Sequence, residues 1–275
     1  RKPESGFESQ PHIFPMYTPP LNRFMKSVGK IQHHLHTVVV GLASVETGGA
    51  TKPEDLDIAW KPTDVVGSAR ESRRFVLRAT LILVAEDLKV YATQVLKFRA
   101  AAEGKEAESL KSADRIRALV TPEDMDPSYL TVAPLVVSNW RNRIVHHGSK
   151  ASLTAAETRR LLDHREPIRG KYKNVDVSRL LHDFECDKPT LKDVTSLIAM
   201  SIQFVKLVDL SLPRPNCAQY VRQWLDSEQL TAAVLRFERM AARGGSPNPR
   251  IRGRQFLRTE SPMLAEPYFL HGMAN

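Results

Sequence analysis

The chain has 275 residues, 42% of them hydrophobic and 26% charged, with a net charge of +9. That length and apolar content can build one sizeable core and exclude a disordered or fibrous chain, while the positive charge either attracts a polyanion such as RNA or serves solubility alone. Two cysteines, Cys186 and Cys217, exclude a disulfide framework and a Cys-x-x-Cys zinc or redox site. The longest apolar runs, such as Thr80–Ala85, fall far short of the roughly 20 residues of a membrane span, and the first residues lack a signal-peptide profile. The expectation is a soluble protein of a reducing cytoplasm, with no membrane contact.

Residues 1–20 hold five prolines among polar residues, which predicts an extended arm. Beyond it Leu21, Phe24, Val28, Ile31, Leu35, Val38, Leu42 and Val45 recur at steps of three and four, the stripe of an amphipathic helix that Gly48 and Gly49 would end. Residues 47–67, rich in Pro, Gly, Asp and Thr, read as a loop. Ser68 and Glu71 have the spacing of a capping box, and the stripe Leu77, Leu81, Val84, Leu88, Tyr91, Val95 and Phe98 behind them predicts the clearest helix of the chain. A charged stretch at 103–119 reads as a short surface helix stopped by Thr121 and Pro122.

Asp126 and Pro127 offer an N-cap and a first-turn proline for a third stripe, Tyr129, Val132, Val136, Trp140 and Ile144. Its helix runs directly into the segment WRNRIVHHGS at 140–149, where Gly148 and Ser149 mark the end. Thr154 and Glu157 form a second capping box for a short helix through Leu162, and residues 166–189 read as irregular and polar. A fourth long helix carries Val194, Leu197, Ser201, Val205, Val208 and Leu212 behind Thr190 and Asp193, and stops at Pro213. Strand alternation and internal repeats are absent from the sequence. The predicted architecture is all-α: an antiparallel bundle of four to five long helices over 21–212, with extra short helices and extended termini. Residues 213–275 would add a helical extension at 216–242, a cap or dimer element, and a basic tail; five arginines and no acid between 243 and 258 suit an anion-binding arm or a solvated tail.

The chemistry concentrates at Arg141, Asn142, His146 and His147. Metal-independent RNA cleavage needs a group to take the 2′-hydroxyl proton, a group to return one to the leaving oxygen, and positive charge on the transition state. Imidazole titrates near neutrality and can take either proton role, while guanidinium stays charged and presents a fork of donors to phosphate. Asn142 could orient either by hydrogen bonds. A basic helix end that merely complements the helix dipole is the alternative, and it gives Asn142 no role. A bare Arg-x4-His spacing is not distinctive: Arg159 and His164 share it, but there Leu161 and Leu162 place the pair within a helix on an ordinary solvated face. Five residues of regular helix turn through about 500°, leaving Arg141 and His146 about 140° apart. Either fraying into Gly148 brings a histidine back, or a partner subunit completes the site, which favours a two-fold dimer.

Arg141 and Asn142, with His146 at a four-residue gap and His147 at five, resemble the signature of the HEPN family: an arginine, usually a polar residue after it, then a histidine. The resemblance implies a bundle of four or five helices with the motif at a helix end, and dimers in which two motifs face one composite cleft. It further implies a metal-independent endoribonuclease without cofactor, leaving a 2′,3′-cyclic phosphate and a 5′-hydroxyl. Arg141 would bind the scissile phosphate, His146 or His147 would act as acid or base, and Asn142 would position them. Toxin or anti-phage defence biology, with RNA as substrate and an antitoxin or sensor protein as partner, is implied in the same way. A non-catalytic helical module that binds nucleic acid, a nucleotide or a partner protein is the other expectation.

Further residues have weaker patterns. His33, His34 and His36 in QHHLH lie close in sequence, but adjacent histidines point about 100° apart on a helix, and no cysteine or carboxylate stands at ligand spacing. They read as polar-face residues or as a histidine reaching the RNA cleft. Glu86 and Asp87 lie on the polar side of the second helix, where surface charge or support of the motif are the two readings; in some family members an acidic residue on this helix supports the site. His182 and Cys186 build no defensible protease or zinc pattern.

Overall fold

Apolar residues at three- and four-residue steps are buried by packing helical stripes against one another, and the computed structural model of this chain does so throughout. It describes residues 18–102, 109–120, 124–146 and 148–212. Among these are eight α-helices and no strand: α1 (Pro19–Glu46), α2 (Val65–Ala102), α3 (Ser112–Arg117), α4 (Ala133–Val145), α5 (Ala155–Asp163), α6 (Arg165–Lys171), α7 (Val177–Glu185) and α8 (Leu191–Leu210). Their apolar faces share one core running from Leu21 to Leu212. The arm over residues 1–17, His147, and the whole of 213–275 with its expected helices, basic tail and Cys217 lie outside the described residues.

The stripe of α2 is buried at every expected position from Leu77 to Phe98. Each such side chain contributes roughly 1.5–3 kcal/mol by leaving water, enough to fix the helix as the central element. Its start differs from the expectation. Asp64, not Ser68, caps it, accepting from Gly67 N at 2.8 Å, and Glu71 is left exposed. Aspartate at the N-cap also places negative charge against the positive end of the helix, so it serves at least as well as the serine box.

At the other end of the chain's first helix the expectation also fails by a few residues. Pro19 and Pro20 belong to the first turn of α1, where a missing N–H costs nothing, and Thr18 caps it. Thr18 Oγ1 also donates to Asp209 Oδ1, and its backbone N–H reaches Asp209 Oδ2 at 3.3 Å, so the start of α1 is clasped to the end of α8. Glu46, at the far end of α1, pairs with Arg70 and Arg73 at 2.9 Å each, near the start of α2, which makes the two helices antiparallel. Tyr91 donates to the Val205 carbonyl at 3.1 Å and Arg99 Nη2 reaches Ser211 Oγ at 3.5 Å, so α2 and α8 run the same way.

The third long helix is shorter than expected. Residues 128–131 form a 3-10 turn, and α4 begins only at Ala133, with Pro134 rather than Pro127 in its first turn. The stripe survives this change, because Tyr129, Val132, Val136 and Trp140 are all buried. Residues 166–189 are not irregular. Ile168 on α6 and Tyr172 just past its end, then Val177, Leu180 and Phe184 on α7, are buried positions at helical spacing, and Asp176 caps α7 by accepting from Ser178 N and Arg179 N. The capping boxes Thr154–Glu157 and Thr190–Asp193 are both formed.

Burial on α1 ends at Leu35, so Val38 and Val40 beyond it are 41% and 70% exposed. The last turns of α1 and the first of α2 thus extend past the core as a two-helix projection. Among the described residues no helix is long and apolar enough to cross a membrane.

Candidate active site

The motif occupies the end of α4, and packing fixes that end rigidly. Trp140 is fully buried, donates Nε1–H to Asp187 Oδ1 at 2.9 Å, and meets Phe184 edge to face at 5.5 Å between ring centroids. Arg78 of α2 pairs with the other Asp187 oxygen, so one carboxylate joins α2, α4 and the α7–α8 turn. Arg143, two residues past Arg141, points away from the motif. Its guanidinium lies 4.2 Å from the Phe184 ring centroid and donates to the carbonyls of Ala151 and Phe184 at 2.6 and 3.0 Å. The second arginine of WRNRIVHHGS therefore anchors the segment after the motif to α7.

The helix ends because the backbone leaves helical geometry at His146, with φ −108° and ψ 102°, while its N–H still bonds to the Asn142 carbonyl at 3.0 Å. Gly148 follows at φ +80°, a conformation costly for a residue with a Cβ, and Ser149 N closes the turn on the His146 carbonyl at 2.9 Å. This departure decides the geometry of the site. Instead of standing about 140° away, the exposed His146 ring turns back over the last turn, and its Nε2 lies 3.1 Å from Arg141 Nη1. The pair is assembled within a single chain, so the angular argument for a second subunit does not apply to it.

Arg141 gathers the remaining groups. Its Nη1 also donates to Asn142 Oδ1 at 3.3 Å, and its Nη2 pairs with Glu86 Oε1 at 2.8 Å. The Nε–H is buried and makes no hydrogen bond among the described residues. Since guanidinium has donors only, a hydrogen bond to His146 requires Nε2 to accept, which places the proton of the neutral ring on Nδ1. Glu86 also pairs with Lys89, one turn on, at 3.2 Å. Burial pushes the Glu86 carboxyl up, but Lys89 and then Arg141 outweigh this and hold it below the usual glutamate range, as a carboxylate.

Compared with family models, with curated proteins and with solved structures, the chain matches none.

The structure thus brings together Arg141, Asn142 and His146 and adds Glu86. Asp87 faces α1 instead, where it bonds to Ser27 with Arg23 nearby, and burial raises its carboxyl above the usual aspartate range. Arg159 is 84% exposed beside Asp163, and His164 Nδ1 approaches the Arg160 carbonyl at 2.8 Å, so the second Arg-x4-His spacing forms no pair. His33, His34 and His36 are exposed on α1, and His182 lies 3.6 Å from Cys186 Sγ on the exposed side of α7. Among the described residues no three His, Cys, Asp or Glu side chains are grouped to hold a metal ion. Sequence reasoning missed Lys89. Its only signal is the i, i+3 spacing from Glu86 on a helix.

Proposed function

We propose that this chain is an endoribonuclease of the HEPN type, in which Arg141, Asn142 and His146 act on RNA without a metal. One observation carries the reading: the 3.1 Å approach of Arg141 Nη1 to His146 Nε2 at a helix end, across a spacing that a regular helix would hold apart. In the reaction the 2′-hydroxyl oxygen attacks phosphorus, its proton passes to His146 Nε2, and the bond to the 5′-oxygen breaks as that oxygen takes up a proton. The products are a 2′,3′-cyclic phosphate and a 5′-hydroxyl. Arg141, turning its donors to the phosphate, frees Nε2 to act as base and stabilises the charge that builds on the phosphoryl oxygens.

The proton for the leaving oxygen is assigned to His146 of a second copy in a two-fold dimer. Support for this pairing comes from α2. Phe75, Leu83 and Val90, 72%, 54% and 39% exposed, fall within about 80° of one another around the helix, and Glu86 lies inside that sector. A face so apolar beside the motif suits burial against its own copy. The biology suggested is growth arrest by RNA cleavage, in toxin or anti-phage defence, with an antitoxin or sensor protein restraining it in the cytoplasm.

The reading is tested by incubating the protein with transfer, ribosomal and messenger RNA in EDTA beside His146→Ala. Cleavage that survives EDTA and disappears in the variant supports it, and intact RNA with the wild-type protein overturns it. The pairing of Arg141 with Glu86 favours a second reading, a non-catalytic module that binds nucleic acid, a nucleotide or a protein. That reading expects His146→Ala to leave binding unchanged.

A further inference from the structure

Glu86 Oε1 lies 2.8 Å from Arg141 Nη2 and Glu86 Oε2 lies 3.2 Å from Lys89 Nζ, so a single carboxylate bridges two cations. The bridge is accessible to solvent, with the Glu86 and Lys89 side chains 40% and 43% exposed and that of Arg141 23%. Two oxygens of a phosphate span much the same gap as those of a carboxylate, and both cations donate to oxyanions without discriminating between them. The pair on α2 is also set by the helix itself, since residues three apart share a face. Lys89 therefore remains in place whether Glu86 or another anion occupies Arg141.

We infer that Glu86 is a displaceable internal stand-in for a phosphate group, and that Lys89 is a second cation of the phosphate site beside Arg141. In the closed state Glu86 occupies Arg141, and Arg141 in turn occupies His146 Nε2. An incoming phosphate exchanges with the carboxylate, is held between Arg141 and Lys89, and releases the His146 lone pair. The buried Arg141 Nε–H, which makes no bond among the described residues, gives the guanidinium a reason to reorient when a second acceptor arrives. Carboxylate and phosphate compete for the same donors, so the chain lowers its own affinity for anions until one of sufficient charge density arrives. The inference rests on the reading of Arg141 as a phosphate ligand and adds the residue that competes and the residue that assists.

The test titrates inorganic phosphate into the full chain at constant ionic strength and follows the His146 imidazole resonance by NMR, assigned through its loss in His146→Asn. Exposed ion pairs of this kind change affinities modestly, so Glu86→Gln is expected to tighten phosphate binding about two- to five-fold. Adding Lys89→Gln to that variant should weaken it again about three-fold. Arg159→Gln, which removes an exposed charge on α5, should leave it unchanged. The inference is overturned if Glu86→Gln binds phosphate no better than wild type, because Glu86 then only positions Arg141. It is overturned equally if Arg159→Gln weakens binding as much as Lys89→Gln does, because the effect is then bulk charge. RNA cleavage measured on the same samples separates this from the nuclease reading. Intact RNA alongside the expected phosphate pattern retains the site and removes the enzyme. Cleaved RNA with phosphate binding indifferent to both residues does the reverse.

Discussion

His146 Nε2 meets Arg141 Nη1 at 3.1 Å because the backbone leaves the helix at His146 itself, one residue beyond the last helical position, Val145. A regular continuation of α4 would separate the two side chains, so the contact depends on where the helix stops. Changing His146 to Ala should leave the helix end intact and remove the proposed acid–base group. RNA cleavage should fall by about 10²- to 10⁴-fold with unchanged circular dichroism. A variant cleaving at wild-type rate would remove His146 from the reaction.

The two arginines of the motif should separate cleanly. Arg143→Ala removes donors to the Ala151 and Phe184 carbonyls and the cation over the Phe184 ring, leaving part-buried acceptors behind. We expect a loss of about 2–4 kcal/mol in urea unfolding. Arg141→Ala breaks the ion pair with Glu86 and the side-chain contacts to Asn142 and His146, all at a partly exposed helix end, and should cost only about 1 kcal/mol while abolishing the proposed cleavage. Equal destabilisation by both would show that Arg141 is a structural residue.

Gly148 at φ +80° should tolerate little else. Alanine there costs about 1–2 kcal/mol and strains the turn that carries His146, whereas asparagine, which accepts left-handed geometry more readily, should restore most of the stability. Thermal melts of the two variants compare them directly.

How much of this was legible in sequence depended on length and range. The stripe of α2 repeats without a break over many turns, so its period is unmistakable, and every expected position is buried. Helices α6 and α7 have only 7 and 9 residues, too short for a period to establish itself amid charges, so their sequence reads as irregular and polar. Arg141 and His146 were visible as local neighbours. Glu86 could be marked as a candidate, but its pairing with Arg141 is set by how α2 packs on α4, which no spacing encodes. Arg143 was passed over, although lying two residues on turns it about 200° from Arg141 and directs it to the opposite side.

Acid stability should depend on Glu157. Burial raises its carboxyl, but Arg117 and the Thr154 N–H more than compensate, so its folded pKa lies below the ordinary 4.5. A lowered carboxyl stabilises the fold above the unfolded value, and that contribution is lost as pH falls from about 4.5 through the folded value. Glu157→Gln should therefore flatten the acid limb of the urea midpoint plotted against pH, and an unchanged slope would contradict the assignment.

If α2 forms the interface between copies, Leu83→Glu should convert a dimer into a monomer in sedimentation, through a charge placed on an apolar face. Val40→Glu on the projecting end of α1 serves as the comparison. A wild-type monomer at every concentration would exclude the pairing.

The clasp between Thr18 and Asp209 brings residues 191 positions apart into hydrogen-bond contact. Because the two partners lie so far apart in sequence, the seat of α1 against α8 cannot close until residue 209 has been made, whereas the pairing of α1 with α2 needs only the first part of the chain. The clasp is therefore a late step of assembly, and it closes a core whose first helix pair can already be in place.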